Sequence, residues 1–159
     1  MLSKRLRLLT LRLLQSPILV RGLTRLPPGS RPRRAALERF GRMSGAALNQ
    51  RDWSGIEVLP DEVEFEPRDD LPDSRLRRGP DEIRRYFEAL IELFPDYRIE
   101  LIGVEDPGDD VAVFLWHGVG TGEASGARAE VFIRQSVAFR NGRVVRIEEK
   151  LDPSLRRAT

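Results

Sequence analysis

Two runs of alternating residues joined at Asn141-Gly142, AEVFIRQSVAFRNGRVVRIEEKLD over 129–152, constrain this chain more than any other stretch. Period-two alternation on both sides of an Asn-Gly dipeptide specifies a β-hairpin. Its register decides what it can support. A two-residue primed turn would set Arg140 against Arg143, Val137 against Arg146 and Ile133 against Lys150, mixing apolar and charged residues on both faces. A three-residue loop, Arg140-Asn141-Gly142 with Gly142 left-handed at a bulge, moves the partners by one. Val131, Ile133, Val137 and Phe139 then share a face with Val145, Ile147 and Leu151, and Arg134, Arg140, Arg146, Glu148 and Lys150 collect on the other. A slip of one residue exchanges the faces, so the apolar pattern selects the bulged loop. On the apolar face only Gln135 and Glu149 are polar, one step from directly opposite each other. A buried acid without a partner is costly, so Glu149 requires either a partner or a wet cavity.

The 159 residues suffice for one domain with a real core. No cysteine is present, which excludes disulfides and thiolate chemistry, and the single histidine, His117, argues against a zinc site. No metal and no cofactor are expected. The net charge of +2 conceals two unlike parts: residues 1–34 hold nine Lys or Arg and no acid, and the remainder carries −7. An acidic domain disfavours nucleic acid as a partner. Residues 1–34 read as a basic leader, for which a disordered tail or over-extended start, a targeting peptide and a membrane-surface helix all stay open. Its longest uncharged run, Leu13–Val20, contains Pro17 and is too short to span a bilayer, so no transmembrane segment is expected and the location is expected to be cytoplasmic.

The domain follows over 35–152, with a tail at 153–159. Leu37, Phe40, Ser44, Ala47 and Leu48 recur at helical spacing over Ala35–Asn49, and Trp53–Leu59 reads as a short second helix stopped by Pro60. Asp61–Pro67 alternates as a half-buried strand, and Arg68–Gly79 is a charged loop. Pro80–Phe94 is the clearest helix: Ile83, Tyr86, Phe87, Leu90, Ile91 and Phe94 form one stripe, Pro80 starts it, and Asp81 and Glu82 favour its dipole. Strands are expected over Tyr97–Glu105, Val111–Thr121, Ala129–Arg140 and Arg143–Asp152. Helices first and a strand meander after make an α+β fold, a curved, mostly antiparallel sheet packed on three helices. Val111–Trp116 is apolar at every position, so both its faces should be covered; the helices cover one, and a second copy of the chain, in a homodimer through the sheet, is expected to cover the other.

Several motifs fall in a familiar order: Ala47-Leu48-Asn49-x-x-Asp52, Leu59-Pro60-Asp61-Glu62-Val63, Arg78-Gly79-Pro80-Asp81-Glu82-Ile83-Arg84-x-x-Phe87, Ser125-Gly126, and Asn141-Gly142-Arg143-Val144-Val145-Arg146 before Asp152. From Leu37 to Asp152 the chain resembles the NTF2-like superfamily, and within it the SnoaL-like and ketosteroid-isomerase-like proteins. The resemblance implies a cone-shaped fold with a cavity on one face of the sheet. It also implies roles: Glu66-Pro67 matches the place of the isomerase general base, Ser44 stands where an oxyanion-hole tyrosine would, and Gln135 stands where the second oxyanion donor, an acid, would. One of the three positions keeps a carboxylate. The fold hosts many activities and does not by itself name one.

The candidate acid/base groups are therefore Glu66 and Glu149, with Ser44, Tyr86, Trp116 and Gln135 as candidate ligand-binding residues. Four of these have a structural alternative: an exposed strand acid for Glu66, an arginine partner for Glu149, a backbone-satisfied amide for Gln135, core packing for Tyr86. Trp116 and His117 point to opposite faces of one strand, and the resemblance puts Trp116 on the cavity wall. The expected partner is a hydrophobic small molecule, bound without chemistry or, as the alternative, turned over by metal-independent isomerase or lyase chemistry. The test stated by the sequence itself is whether Glu66 and Glu149 project into one apolar pocket.

Overall fold

The computed structural model describes residues 22, 23 and 25–157. Most of the basic leader, and the choice among its readings, lies outside the described residues. The elements run α1 (Arg31–Asn49), α2 (Ser54–Glu57), β1 (Glu64–Glu66), β2 (Arg77–Arg78), α3 (Pro80–Leu93), β3 (Arg98–Gly108), β4 (Val111–Thr121), β5 (Arg128–Arg140), β6 (Arg143–Leu151) and a closing 3-10 turn, Pro153–Arg157. The six strands form one curved sheet in the order β2-β1-β6-β5-β4-β3, antiparallel except for β1 beside β6. Helices first, sheet after, is the α+β architecture expected.

Two boundaries differ. Helix α1 starts at Arg31, with Ser30 at its N-cap position and Pro32 in its first turn, so the expected leader boundary at residue 34 falls inside the helix. The reason lies on β3: buried Arg33 pairs with Asp106 at 2.9 Å, and Arg34 Nη2 donates to the Val104 carbonyl at 3.3 Å. Charge counting assigned both arginines to a tail, yet their partner strand is distant in sequence. The stretch expected as a loop over Arg68–Gly79 contains β2, which pairs antiparallel with β1 as Glu64↔Arg78 and Phe65↔Arg77.

The β5–β6 hairpin resolves the register question in a third way. Asn141 and Gly142 both have positive φ, +50° and +74°, and Arg140 pairs with Arg143, which is the two-residue primed turn. The one-residue offset is nevertheless present, because Phe139 pairs with Val144 and Ala138 with Arg146, leaving Val145 as the extra residue of a bulge. Beyond it Val137 meets Ile147, and Gln135 and Glu149 stand directly opposite each other. Val144 rather than Val145 takes the buried place near the turn.

The core lies between the helices and the inner sheet face, centred on Leu37, Val63, Phe65, Ile83 and Phe114. Alternation in β1 turns Phe65 inward and leaves Glu64 and Glu66 to the outer face. Helix α1 lies on β3 and β4, closely enough that it carries glycines there. A Cβ on Gly41 would come within 2.9 Å of Leu101 Cδ2 and Phe114 Cδ1, and one on Gly45 within 2.9 Å of Trp116 Cζ3. The end of α1 is tied to the sheet by Asn49, whose amide donates to the Ile99 carbonyl and accepts from the Ile99 N–H, both at 2.9 Å.

On an open helix face Gly→Ala stabilises by roughly 0.5–1 kcal/mol, whereas overpacking a core costs about 1–3 kcal/mol. Gly45→Ala is therefore expected to lower the melting temperature despite the better helix former. A rise in Tm would show that the Trp116 ring has room to move away.

Candidate functional site

A cavity of about 150 Å³ opens between the helices and the inner sheet face. Phe40, Ser44, Ala47 and Leu48 of α1 line it, with Trp53, Ile56 and Leu59 around α2, Ile83, Phe87 and Leu90 of α3, and Trp116, Ile133, Gln135, Ile147 and Glu149 of the sheet. The walls are apolar almost throughout, because each contributing element turns the apolar side of its repeat toward the cavity.

The polar exception is a chain of hydrogen bonds across three adjacent strands. Trp116 Nε1 donates to Gln135 Oε1 at 3.3 Å, and Gln135 Nε2 donates to Glu149 Oε1 at 3.0 Å. Cross-strand register places these residues: Gln135 faces Glu149 on β6 and Phe114 on β4, two residues along the same face from Trp116. Glu149 is the one acidic residue among the described residues in the buried class. Burial pushes its carboxyl up from the ordinary carboxylate range, against the pull of nearby Arg68 and of the Gln135 hydrogen bond.

Arg68 and Tyr97 complete the polar end of the cavity, and the sequence reading missed both. Arg68 was placed in a solvated loop, but its side chain is only 4% exposed, and its Nε lies 2.8 Å from Asp70 Oδ1. Burial opposes its charge, and Tyr97, Glu149 and Asp70 outweigh that, so Arg68 stays a cation. Loop residues have no periodicity to betray which of them turn inward. Tyr97 is buried at the entry to β3, and burial raises its hydroxyl pKa while Arg68 beside it acts the other way. Arg51 fixes that corner, its Nη1 donating to the Leu48 and Tyr97 carbonyls at 3.1 Å each and its Nη2 to the Pro95 carbonyl at 2.9 Å.

Of the six residues singled out from the sequence, Ser44, Trp116, Gln135 and Glu149 line this one cavity. Ser44 Oγ donates back to the Phe40 carbonyl at 3.0 Å. Tyr86 is buried but off the cavity, packed on Phe65 at 5.0 Å and Phe87 at 5.2 Å between ring centroids, with Arg77 over its face. Its hydroxyl has no hydrogen-bond partner among the described residues, and burial raises its pKa. Glu66 is not on the cavity wall either: its side chain is 46% exposed and ion-paired with Arg146 on the outer face, which also holds Glu64 at 2.9 Å. The expectation that Glu66 and Glu149 share a pocket is not met, because β1 alternation commits Phe65 inward. His117 also lies on the outer face, its Nε2 2.8 Å from Glu130 Oε1 and its ring stacked on Phe132 at 4.7 Å. Among the described residues no group of three His, Asp or Glu is placed to hold a metal ion.

Similar folds are known from solved structures. Bal32a, from a soil-derived mobile gene cassette, superposes with a TM-score of 0.63 at 19% identity, covering 76% of this chain and 89% of that one. An NTF2-like protein from Burkholderia thailandensis E264 gives 0.60 at 23% identity, covering 71% and 88%. TerC, co-crystallised with polyporic acid, gives 0.57 at 17% identity, covering 72% and 90%. No curated protein matches the sequence. The family model for the SnoaL-like domain matches residues 41–147. That match runs from Gly41, where α1 meets the sheet, to the cavity-lining Ile147, well over half of the chain, and the protein therefore belongs to the SnoaL-like domain family.

Proposed function

We propose that this chain binds a hydrophobic small molecule carrying one polar group in the cavity between α1, α3 and the sheet. The observation that carries this reading is the Trp116–Gln135–Glu149 chain of hydrogen bonds set in an otherwise apolar wall. Protein interiors are close-packed, and an unfilled apolar void of this size costs on the order of 3–4 kcal/mol. A fold that keeps such a space, with convergent polar atoms at one end, has the general form of a ligand site.

A second reading, acid/base chemistry of isomerase or lyase type, is favoured by Glu149 itself. Its raised pKa brings a carboxyl toward the range in which it can both take and return a proton at carbon beside a carbonyl. Glu149 is the group proposed for that role, since Glu66 faces Arg146 outside the cavity. The homodimer belongs to the proposal as well, supported by the outward, half-buried Leu115 of β4; near it the turn Pro153–Arg157 already covers part of Phe132.

Native mass spectrometry of the purified protein reads both points. The 18.1 kDa chain is expected to carry a co-purified molecule of a few hundred daltons or less, and to appear as twice its mass when dimeric. Bare chain, with no melting shift from any apolar carbonyl compound, would sink the ligand reading. For the second reading, deuterium exchange beside the carbonyl of a bound ketone should be lost in Glu149→Gln. Exchange that persists in that variant would remove Glu149 from the chemistry.

A further inference from the structure

The space available is that of a single ring. An apolar protein cavity of ~150 Å³ takes up benzene, whereas sites for drug-sized ligands span roughly 300–1,000 Å³; this cavity is at the small end, at about 150 Å³. Trp116 sets the limit, because its indole is held from three directions. Gly45 of α1 lies against it so closely that a Cβ there would be 2.9 Å from Cζ3. Phe114 packs beside it at 6.3 Å between centroids, and Gln135 holds its Nε1. A ring so fixed does not swing aside for a larger guest.

The polar atoms narrow the chemistry. Ser44 Oγ is spent on the Phe40 carbonyl, Asp52 Oδ1 accepts from the Ser54 N–H at 3.1 Å, and both polar ends of Gln135 are engaged. Arg68 is already paired with Asp70, so no uncompensated cation waits for an anionic ligand. Gln135 occupies one Glu149 oxygen, and the other, on a carboxyl whose pKa burial raises, can donate when that carboxyl is protonated. A donor at the end of an apolar pocket calls for an acceptor on the guest.

Building on the ligand-binding reading above, we propose that the cavity takes a neutral carbonyl compound no larger than one six-membered ring, its ring against Trp116 and its oxygen at Glu149. Trp116 is then the residue that determines the size of guest accepted.

The two tryptophans of the chain, Trp53 and Trp116, both line the cavity, so their fluorescence reports occupancy. The full chain is titrated with cyclohexanone, methylenecyclohexane, cyclohexanecarboxylate, 2-decalone and androstenedione, with calorimetry as a second readout. Cyclohexanone should bind about tenfold or more tightly than the hydrocarbon and the carboxylate, and the two larger ketones should not bind. Trp116→Leu should admit 2-decalone, with Trp116→Phe as the milder variant should the first unfold. Hydrocarbon binding as tight as ketone binding overturns the role of Glu149 as donor, and tighter carboxylate binding overturns neutrality. 2-Decalone or androstenedione binding the unaltered protein as well as cyclohexanone overturns the size limit while leaving the ligand-binding reading in place. No binding by any of the five overturns both.

Discussion

Phe65→Ala is expected to lower the stability of the fold by about 3–5 kcal/mol, the range for emptying a buried aromatic position. Phe65 is fully buried, and it joins two parts of the molecule: its ring touches Tyr86 at 5.0 Å and Phe87 at 5.7 Å, and it also lines the cavity. Its strand is only three residues long and pairs with β2 on one side and β6 on the other. Removing the ring therefore merges the core with the ligand space and loosens the link between α3 and the sheet. At about 2–4 °C per kcal/mol for a domain of this size, the melting temperature should fall by roughly 6–20 °C. A fall of less than about 2 °C would mean that β1 is not held by its buried side, and with it the account of how the cavity is walled.

Glu149→Gln is expected to change how stability depends on pH. Burial holds the folded-state pKa of Glu149 above its ordinary value. The sign follows from proton linkage: between the unfolded and folded pKa values the native state binds the extra proton, so stability is full below the unfolded value and declines as pH rises through the folded one. Glutamine imitates the neutral acid and does not titrate. Urea unfolding should find the two proteins close near pH 4, with the variant gaining on the parent as pH rises. The gap can grow by up to about 1.4 kcal/mol for each pH unit inside that window. Parallel curves across pH 4–8 would show that Glu149 is charged in the folded protein, and would remove the neutral donor from the cavity.

Much of the architecture was legible because it depends on repeats. The stripe from Ile83 to Leu90 predicted α3 almost to its ends, and β4 ran over Val111–Thr121 as read. The inward placement of Gln135 and Glu149 followed from alternation once a one-residue offset in the hairpin was allowed, whereas alternation left Trp116 and His117 interchangeable and the family resemblance chose Trp116. What alternation could not supply was what lies outside repeats. Arg68 and Tyr97 sit where a loop and a strand entry turn inward, and only the packed fold shows that they meet. Arg33 and Arg34 looked like surplus charge because their partners on β3 lie seventy or more residues away. Glu66 was misplaced by analogy with a motif, although the same alternation that buried Phe65 already pointed it outward.

The extra residue Val145 has a consequence beyond the shape of the hairpin. It reverses the parity of β6, so that Val144, Ile147 and Glu149 all serve the inner face although even and odd positions are mixed among them. With the same Asn-Gly turn and no added residue, Glu148 would stand opposite Gln135, and Glu149 would point outward beside Arg134. The acid in the cavity is thus chosen by a phase change in the backbone four residues upstream, not by the residues that flank it. Single-residue insertions or deletions between Asn141 and Glu149 would switch which carboxylate the ligand meets, a larger change than most substitutions in the wall could make.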